Sequence, residues 1–346
     1  MRAAGVDAVI EAESLSVVGL VEVLHHIPRI YGEFRKLIKS ARERRPDLAI
    51  LTDSPDFHLR VAKKLHSAGI PVVYLVAPQA WAWRQGRVKT MRRTLSHLIC
   101  IFPFEERFFR EHGVTATYIG HPLASIVRPS TTRAEFFERH GIPATAKLVA
   151  ILPGSRAGEI ARHIPCLAAA TALIRRERSD VAFVTGTPPG FGSRVKDSTF
   201  WERFRRESIK VIEGSTWDLL AHADVALAAS GTVTMEAALL GTPMVTFYRV
   251  SGLSWLIGRW LVRAPFLSMV NLVAGRAVVP ELIQEDMRPA RLAEETLKLL
   301  GDEELRRRMR GELARVRDLL SSREHPMDRA VEVVETVLNK EMANVR

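Results

Sequence analysis

Leu148-Val-Ala-Ile-Leu-Pro-Gly-Ser-Arg156 decides how the chain is read. Its opening run is wholly apolar and too short for a helix, so it reads as a strand buried on both faces, the kind a parallel sheet contains. The Gly154-Ser155 turn after it lets backbone amides approach an anion. Arg156 adds a charge-assisted contact of the bidentate sort that suits phosphate. Pro165 is a good first helical residue, so a helix is expected from there, with the intervening loop folding over a ligand. A plain strand-to-helix turn carrying an exposed arginine is the alternative.

The same unit recurs in Ala229-Ser-Gly-Thr-Val-Thr-Met-Glu236. Ser230, Gly231 and Thr232 stand at a helix N-terminus, where they either cap the helix or receive a diphosphate on its positive end. Glu236 is placed to accept hydrogen bonds from vicinal ribose hydroxyls, or else complements the dipole. Two turns of phosphate type in one half of the chain favour a nucleotide.

Outward from these turns, short Val/Ile/Leu-rich runs alternate with helical patterns, as in parallel sheets with crossover helices. The first half has strands at Leu48–Thr52, Pro71–Val76, Leu98–Phe102 and Thr117–Ile119. The second has them at Leu148–Leu152, Val181–Thr185, Lys210–Ile212, Val225–Ala229 and Met244–Tyr248. This is α/β architecture in two successive Rossmann-like halves: a first domain over 1–127, a polar linker at 128–132, and a second domain over 133–321 opening with a helix at Arg133–His140. The tail is helical, with stripes at Leu292, Leu297, Leu300 and Leu305, then Ala330, Val331, Val334 and Val337; its end, 322–346, is expected to pack back on the first domain.

In the first half, Thr52-Asp-Ser-Pro-Asp56 ends a strand. Ser54 is a natural N-cap, Pro55 a natural first helical residue, and Asp56 complements the dipole. That leaves Asp53 at the carboxyl end of a strand, where ligands bind in such sheets, as a general base; bracing the loop is the other duty open to it. Trp81, Trp83, Arg84 and Gln85, followed by the basic run through Arg93, suit a surface that meets lipid headgroups or an acylated phosphate ester, unless both indoles are core. Trp255 to Arg263 is a second stretch of this kind, or an amphipathic core helix.

The chain has 346 residues, 47% hydrophobic and 26% charged, enough for two packed domains and unlike a disordered or disulfide-built protein. Cys100 and Cys166 stand far apart, giving neither a metal cluster nor a disulfide frame, which fits a reducing cytoplasm. No signal peptide or membrane span is expected. A net charge of +11 calls for anionic partners. No RNP pattern, zinc finger or basic zipper occurs, so nucleic acid is not the expected one. Asp53 and Asp56 alone make a weak magnesium site, and Gly190-Phe191-Gly192 lacks the third glycine of a dinucleotide fingerprint. No GxxxxGK or GxSxG occurs, which removes P-loop and hydrolase-elbow chemistry.

Together, Asp53-Ser-Pro-Asp-Phe57, Pro78-Gln-Ala-Trp-Ala-Trp-Arg-Gln85, Gly120-His-Pro122, Leu152-Pro-Gly-Ser-Arg156, Ser230-Gly-Thr232 with Glu236, and Asn271-Leu-Val-Ala-Gly-Arg276 closely resemble the lipid-A-disaccharide synthases. The resemblance implies a GT-B fold, two Rossmann-like domains facing across a cleft. It also implies an inverting, metal-independent transfer, without a cofactor, from UDP-diacylglucosamine to diacylglucosamine 1-phosphate. Carried over, Asp53 is the base, Arg156 a diphosphate contact, Glu236 the ribose contact and Asn271 a residue near the donor phosphates. Asp53 and the phosphate turns would meet as the domains close. The implied setting is peripheral, on the cytoplasmic face of the inner membrane of a Gram-negative type cell, against an anionic surface; the oligomeric state stays open. The same fold would also serve another UDP-sugar enzyme, an epimerase or a peptidoglycan-type transferase, or an inactive nucleotide- or lipid-binding remnant. The family's opening strand, Gly-Glu-x-Ser-Gly-Asp turn and helix do not precede Val9, a difference of roughly 45 residues, so an upstream start is expected.

Overall fold

The computed structural model describes residues 5–7, 20–187, 198–252, 255–256 and 264–345. They divide into two compact units, Met1–Gly120 with Glu324–Arg346, and His121–Arg323. The Gly190-Phe191-Gly192 stretch and residues 257–263 of the second tryptophan stretch lie outside the described residues.

In the first unit, β1 (Ala49–Thr52), β2 (Val72–Leu75), β3 (His97–Cys100) and β4 (Ala116–Tyr118) form a parallel sheet in that order. Alternation along each strand sends Val73 and Ile99 to one face and Tyr74, Leu98 and Cys100 to the other. The first face is covered by the last helix, Pro326–Val345, through Ala330 and Val337. Val331 of the expected stripe instead faces solvent, because its neighbours at helical spacing are the ones that reach the sheet. The other face packs against Ile38, Leu59, Ala62 and Met91 from helices Leu20–Arg44, Pro55–His66 and Arg87–Thr94. Burying each such aliphatic side chain contributes about 1.5–3 kcal/mol.

The second unit carries β5 (Lys147–Leu152), β6 (Val181–Thr187), β7 (Lys210–Glu213), β8 (Val225–Ala229), β9 (Met244–Tyr248) and β10 (Glu281–Ile283). Their order is β10-β9-β8-β5-β6-β7, all parallel. The chain reverses direction across the sheet at β5, which pairs with β6 on one side and β8 on the other. Such a switch point opens a crevice beyond the carboxyl ends of its strands. β10, only three residues long, has no periodic signature and was not expected.

The helix after β5 corrects the expectation of a loop reaching to Pro165. It runs from Ala157 to Glu177 with Pro165 inside it. Its buried stripe of Ile160, Ile164, Leu167, Ala168, Thr171 and Ile174 begins before the proline and continues past it. Packing of that stripe outweighs the single backbone hydrogen bond a proline forfeits. The polar segment read as a linker is tied down at Ser130 and Thr131. Both donate from backbone N–H and side-chain hydroxyl to the Asp218 carboxylate at 2.7–2.9 Å.

Candidate functional site

In the second unit, a cavity of about 620 Å³ opens at the β5/β8 switch point. Gly154, Ser155 and Arg156 line it from one turn, and Ser230, Gly231, Thr232 and Glu236 from the other. Seven residues expected at the donor site, from segments about 80 positions apart, thus share one wall because their strands are neighbours in the sheet. The helices beginning at Ala157 and Thr232 have no side-chain cap. Among the described residues their first amides have no side-chain partner, which is the arrangement that binds an anion. Ser230 does not cap, as the alternative reading would have it: its Oγ donates to the Leu267 carbonyl at 3.0 Å.

Gly154 has φ 117°, and a Cβ there would stand 3.0 Å from Glu159 Oε2. The backbone conformation is what favours glycine there, since the Glu159 carboxylate is the far end of a flexible side chain and could shift by a few tenths of an ångström. Glu159 also lines the cavity. It accepts from Arg156 Nη1 at 2.8 Å and from the Tyr248 hydroxyl at 3.0 Å. Burial pushes its carboxyl up, but these hydrogen bonds outweigh burial and hold it below the usual range. In return, burial and the Glu159 charge push the Tyr248 phenol up to about 12. Arg156 thus reaches the cavity already oriented by a carboxylate, and among the described residues one of its five donors is engaged.

Glu236 is half-buried, and burial raises its carboxyl against a hydrogen bond from Trp217. Trp217 and Asp218, also in the wall, follow the Gly214-Ser215 turn after β7. That turn repeats the strand, turn, helix signal and could have been found from it. His163 had no such signal. Fully buried, it hydrogen-bonds the Pro153 carbonyl through Nδ1 at 2.7 Å and accepts from Arg249 N through Nε2 at 3.1 Å. Burial holds its imidazole below its ordinary value, so it stays neutral and ties the phosphate turn to the end of β9.

Asn271 is not among the residues that line the cavity. Fully buried, its amide nitrogen donates to the Val279 carbonyl and Glu281, and its oxygen accepts from Val278 N and Val279 N. Those four bonds saturate the amide and leave nothing for a phosphate. His121, from the Gly-His-Pro motif, is likewise buried, its imidazole pushed down to about 4 by desolvation.

In the first unit, non-glycine residues with left-handed backbone directly follow β1 at Asp53 (φ 56°) and Ser54 (φ 39°) and β2 at Val76 (φ 67°), with Arg84 (φ 55°) in the loop beyond and Arg45 (φ 44°) ahead of β1. Each costs on the order of 1–3 kcal/mol, and such strain collects at functional sites. Ser54 occupies the N-cap position, yet its side chain makes no cap because the left-handed backbone turns it away. Asp56 does more than complement the dipole. Its carboxylate accepts from Arg84 at 2.9 Å and from Arg87 at 2.5 Å, and both guanidiniums lie over the Trp83 ring, at 4.6 and 4.9 Å from its centroid. Gln85 is exposed beside them.

Trp81 turns the other way. Half-buried against Phe104, it donates from Nε1 to Glu105 Oε1 at 3.0 Å. Glu105 is 1% exposed, and burial pushes its carboxyl up to about 8 despite hydrogen bonds from Trp81, Phe102 N and Ile101 N. A carboxyl that holds its proton more tightly when folded stabilises the fold below its ordinary value of 4.5 and loses that contribution as pH rises toward about 8. Wild-type stability should therefore fall across roughly pH 5 to 8, with a limiting slope of about 1.4 kcal/mol per pH unit from this group. Denaturant titrations of Glu105→Gln should show a flatter profile. Equal slopes in both proteins would remove Glu105 as the cause.

A family described as lipid-A-disaccharide synthetase matches residues 1–333. The lipid-A-disaccharide synthase of Solibacter usitatus is 57% identical over 346 residues, covering 100% of this chain and 89% of that one. That of Anaeromyxobacter dehalogenans strain 2CP-C is 41% identical over 334 residues, 96% and 87% of the two chains. Among solved structures, MnaA of S. aureus with UDP aligns at TM-score 0.65 and 12% identity, over 94% of this chain and 83% of that one. Spinosyn rhamnosyltransferase SpnG with thymidine diphosphate aligns at TM-score 0.56 and 15% identity, over 88% and 78%. At such identities the structural likeness speaks for the fold alone, an α/β architecture of GT-B type. With the family matched over nearly the whole chain and a relative 57% identical along all of it, as the six motifs implied, this chain belongs to the lipid-A-disaccharide synthase family.

Proposed function

We propose that the chain is a hexosyltransferase joining UDP-2,3-diacylglucosamine to 2,3-diacylglucosamine 1-phosphate, giving lipid A disaccharide 1-phosphate and UDP. Asp53 removes the proton of the acceptor hydroxyl as its oxygen bonds to the anomeric carbon of the donor. The bond from that carbon to the UDP oxygen breaks, its electron pair leaves with the diphosphate, and configuration inverts. Arg156 and the uncapped amides at Ala157 and Thr232 stabilise the charge that gathers on the departing diphosphate. Glu236, held by Trp217, takes the ribose hydroxyls.

The observation that carries this reading is the cavity itself, where both phosphate turns, Arg156 and Glu236 line one wall at the switch point of a family member. The test is UDP release by the purified chain with acylated donor and acceptor, each alone and together. Release only with both is expected. Turnover of an unacylated UDP-sugar alone would favour an epimerase and overturn the assignment.

The acceptor and membrane side of the proposal rests on Trp83, Arg84 and Gln85, with Lys89, Arg92 and Arg93 exposed on the following helix. Trp81 serves instead to hold this loop to Glu105. Among the described residues no helix is long and apolar enough to cross a membrane. Peripheral attachment to the anionic cytoplasmic face of the inner membrane is the setting that fits such a basic, tryptophan-bearing face.

A further inference from the structure

Asp53 and Ser54 are consecutive left-handed residues, φ 56° and 39°, and neither is glycine. Something has to keep them there. The Asp53 carbonyl oxygen accepts two side-chain hydrogen bonds, from the Tyr74 hydroxyl at 2.5 Å and from His58 Nδ1 at 2.9 Å. Since a carbonyl only accepts, Nδ1 carries the proton. Two donors fill both lone pairs of that oxygen and fix the plane of the peptide between Asp53 and Ser54. They come from different elements: Tyr74 from the interior of β2 and His58 from the first turn of helix Pro55–His66.

Tyr74 is completely buried, and in the register of the sheet it stands beside Leu51, two residues before Asp53. Its ring lies in the core and only its hydroxyl reaches the strand end. Burial, then the nearby charges of Asp53 and Asp56, push that phenol well above its ordinary range, so it remains a proton donor. The carboxylate of Asp53 is exposed and, among the described residues, makes no hydrogen bond or ion pair. The main chain of Asp53 is clamped while its side chain is left unspent, which is the arrangement of a group held ready for a ligand.

We infer that Tyr74 and His58 are positioning residues for Asp53, gripping its carbonyl so that the carboxylate leaves the end of β1 in one orientation. The inference rests on the reading of Asp53 as the base. Neither side chain touches substrate; both act through the backbone.

Tyr74→Phe tests this, because it removes one oxygen and keeps the buried ring. With both acylated sugars, kcat should fall roughly 10²-fold, the loss typical of a misplaced catalytic group. Donor KM and UDP affinity should stay as in the wild type. In an Asp53→Asn background the same change should cost nothing more, since there is no base left to orient; a merely structural hydroxyl would cost the same in both backgrounds. His58→Gln, which still offers an N–H, should retain activity that His58→Ala loses. Independently of turnover, the ¹³C resonance of the Asp53 carboxyl should be single in the wild type and broaden or split in Tyr74→Phe. Wild-type kcat in Tyr74→Phe with Asp53→Asn inactive would overturn the clamp alone. Full activity in Asp53→Asn would overturn the base reading, and the clamp with it.

Discussion

Asp53→Asn should abolish nearly all UDP release, by roughly 10²–10⁴-fold, while UDP itself binds as tightly as to the wild type. The two halves of that expectation have separate causes. A carboxamide cannot take the acceptor proton, so the loss falls on the chemical step. Asparagine tolerates left-handed backbone at least as well as aspartate does, so the strained turn at φ 56° survives and the Tyr74 and His58 bonds to the carbonyl persist. UDP affinity is the control because the cavity is lined wholly by residues of the second unit. Asp53→Val would be a poorer test, since a β-branched residue resists positive φ and the turn itself would fail. Coupled UDP release and calorimetric UDP binding on the same preparation check both halves. More than about a tenth of wild-type turnover in Asp53→Asn would exclude Asp53 as the base, given the size of general-base effects.

Arg156→Ala should weaken UDP binding by about 10- to 100-fold, the equivalent of about 1.5–3 kcal/mol for hydrogen bonds to a charged group. The structure adds a second contribution. Glu159 stands inside the cavity wall, paired with Arg156 at 2.8 Å and hydrogen-bonded by Tyr248. Without Arg156 its carboxylate loses the stronger partner and faces the incoming diphosphate as an uncompensated like charge. Arg156→Ala/Glu159→Gln should therefore bind UDP several-fold more tightly than Arg156→Ala alone, even though it carries one more substitution. Calorimetry on the four proteins of the cycle measures that coupling directly. Strictly additive losses would mean that Glu159 does not act through Arg156. UDP affinity unchanged in Arg156→Ala would remove the diphosphate from this cavity altogether.

The alternation of short apolar runs with helical patterns is a local signal, and nine of the ten strands among the described residues fall within it to within a residue or two at their ends. β10, Glu281-Leu-Ile283, escaped because it opens on a charged residue and passes directly into the polar Gln284–Asp286 turn, with no apolar run of its own. The phosphate turns were legible for the same local reason: a strand, a small flexible turn and a helix start lie consecutively in the chain. Reading Pro165 as a helix start failed because local propensity was set against a buried stripe that begins at Ile160, and packing outweighs propensity.

The candidate site divides in the same way. Gly154, Arg156, Gly231 and Glu236 could be named from the sequence, because each owes its place to its own turn. That they share one cavity followed only once β5 was paired with β8 at the switch point. What Asn271 bonds could not be read from the sequence, since an amide's partners depend on what surrounds it, and here Val278, Val279 and Glu281 take four bonds from it. His163, Glu159 and Tyr74 were invisible for the converse reason. His163 and Glu159 find their partners Arg249 and Tyr248 at least 86 positions away, and Tyr74 finds Asp53 at 21. By itself, then, the sequence determined most of the elements, the α/β class, the family and the two turns proposed to meet phosphate. The tertiary structure decided which of those turns share a wall, which carboxylates hold arginines and which backbone is strained, because burial and hydrogen-bond partnership over such distances exist only in the folded chain.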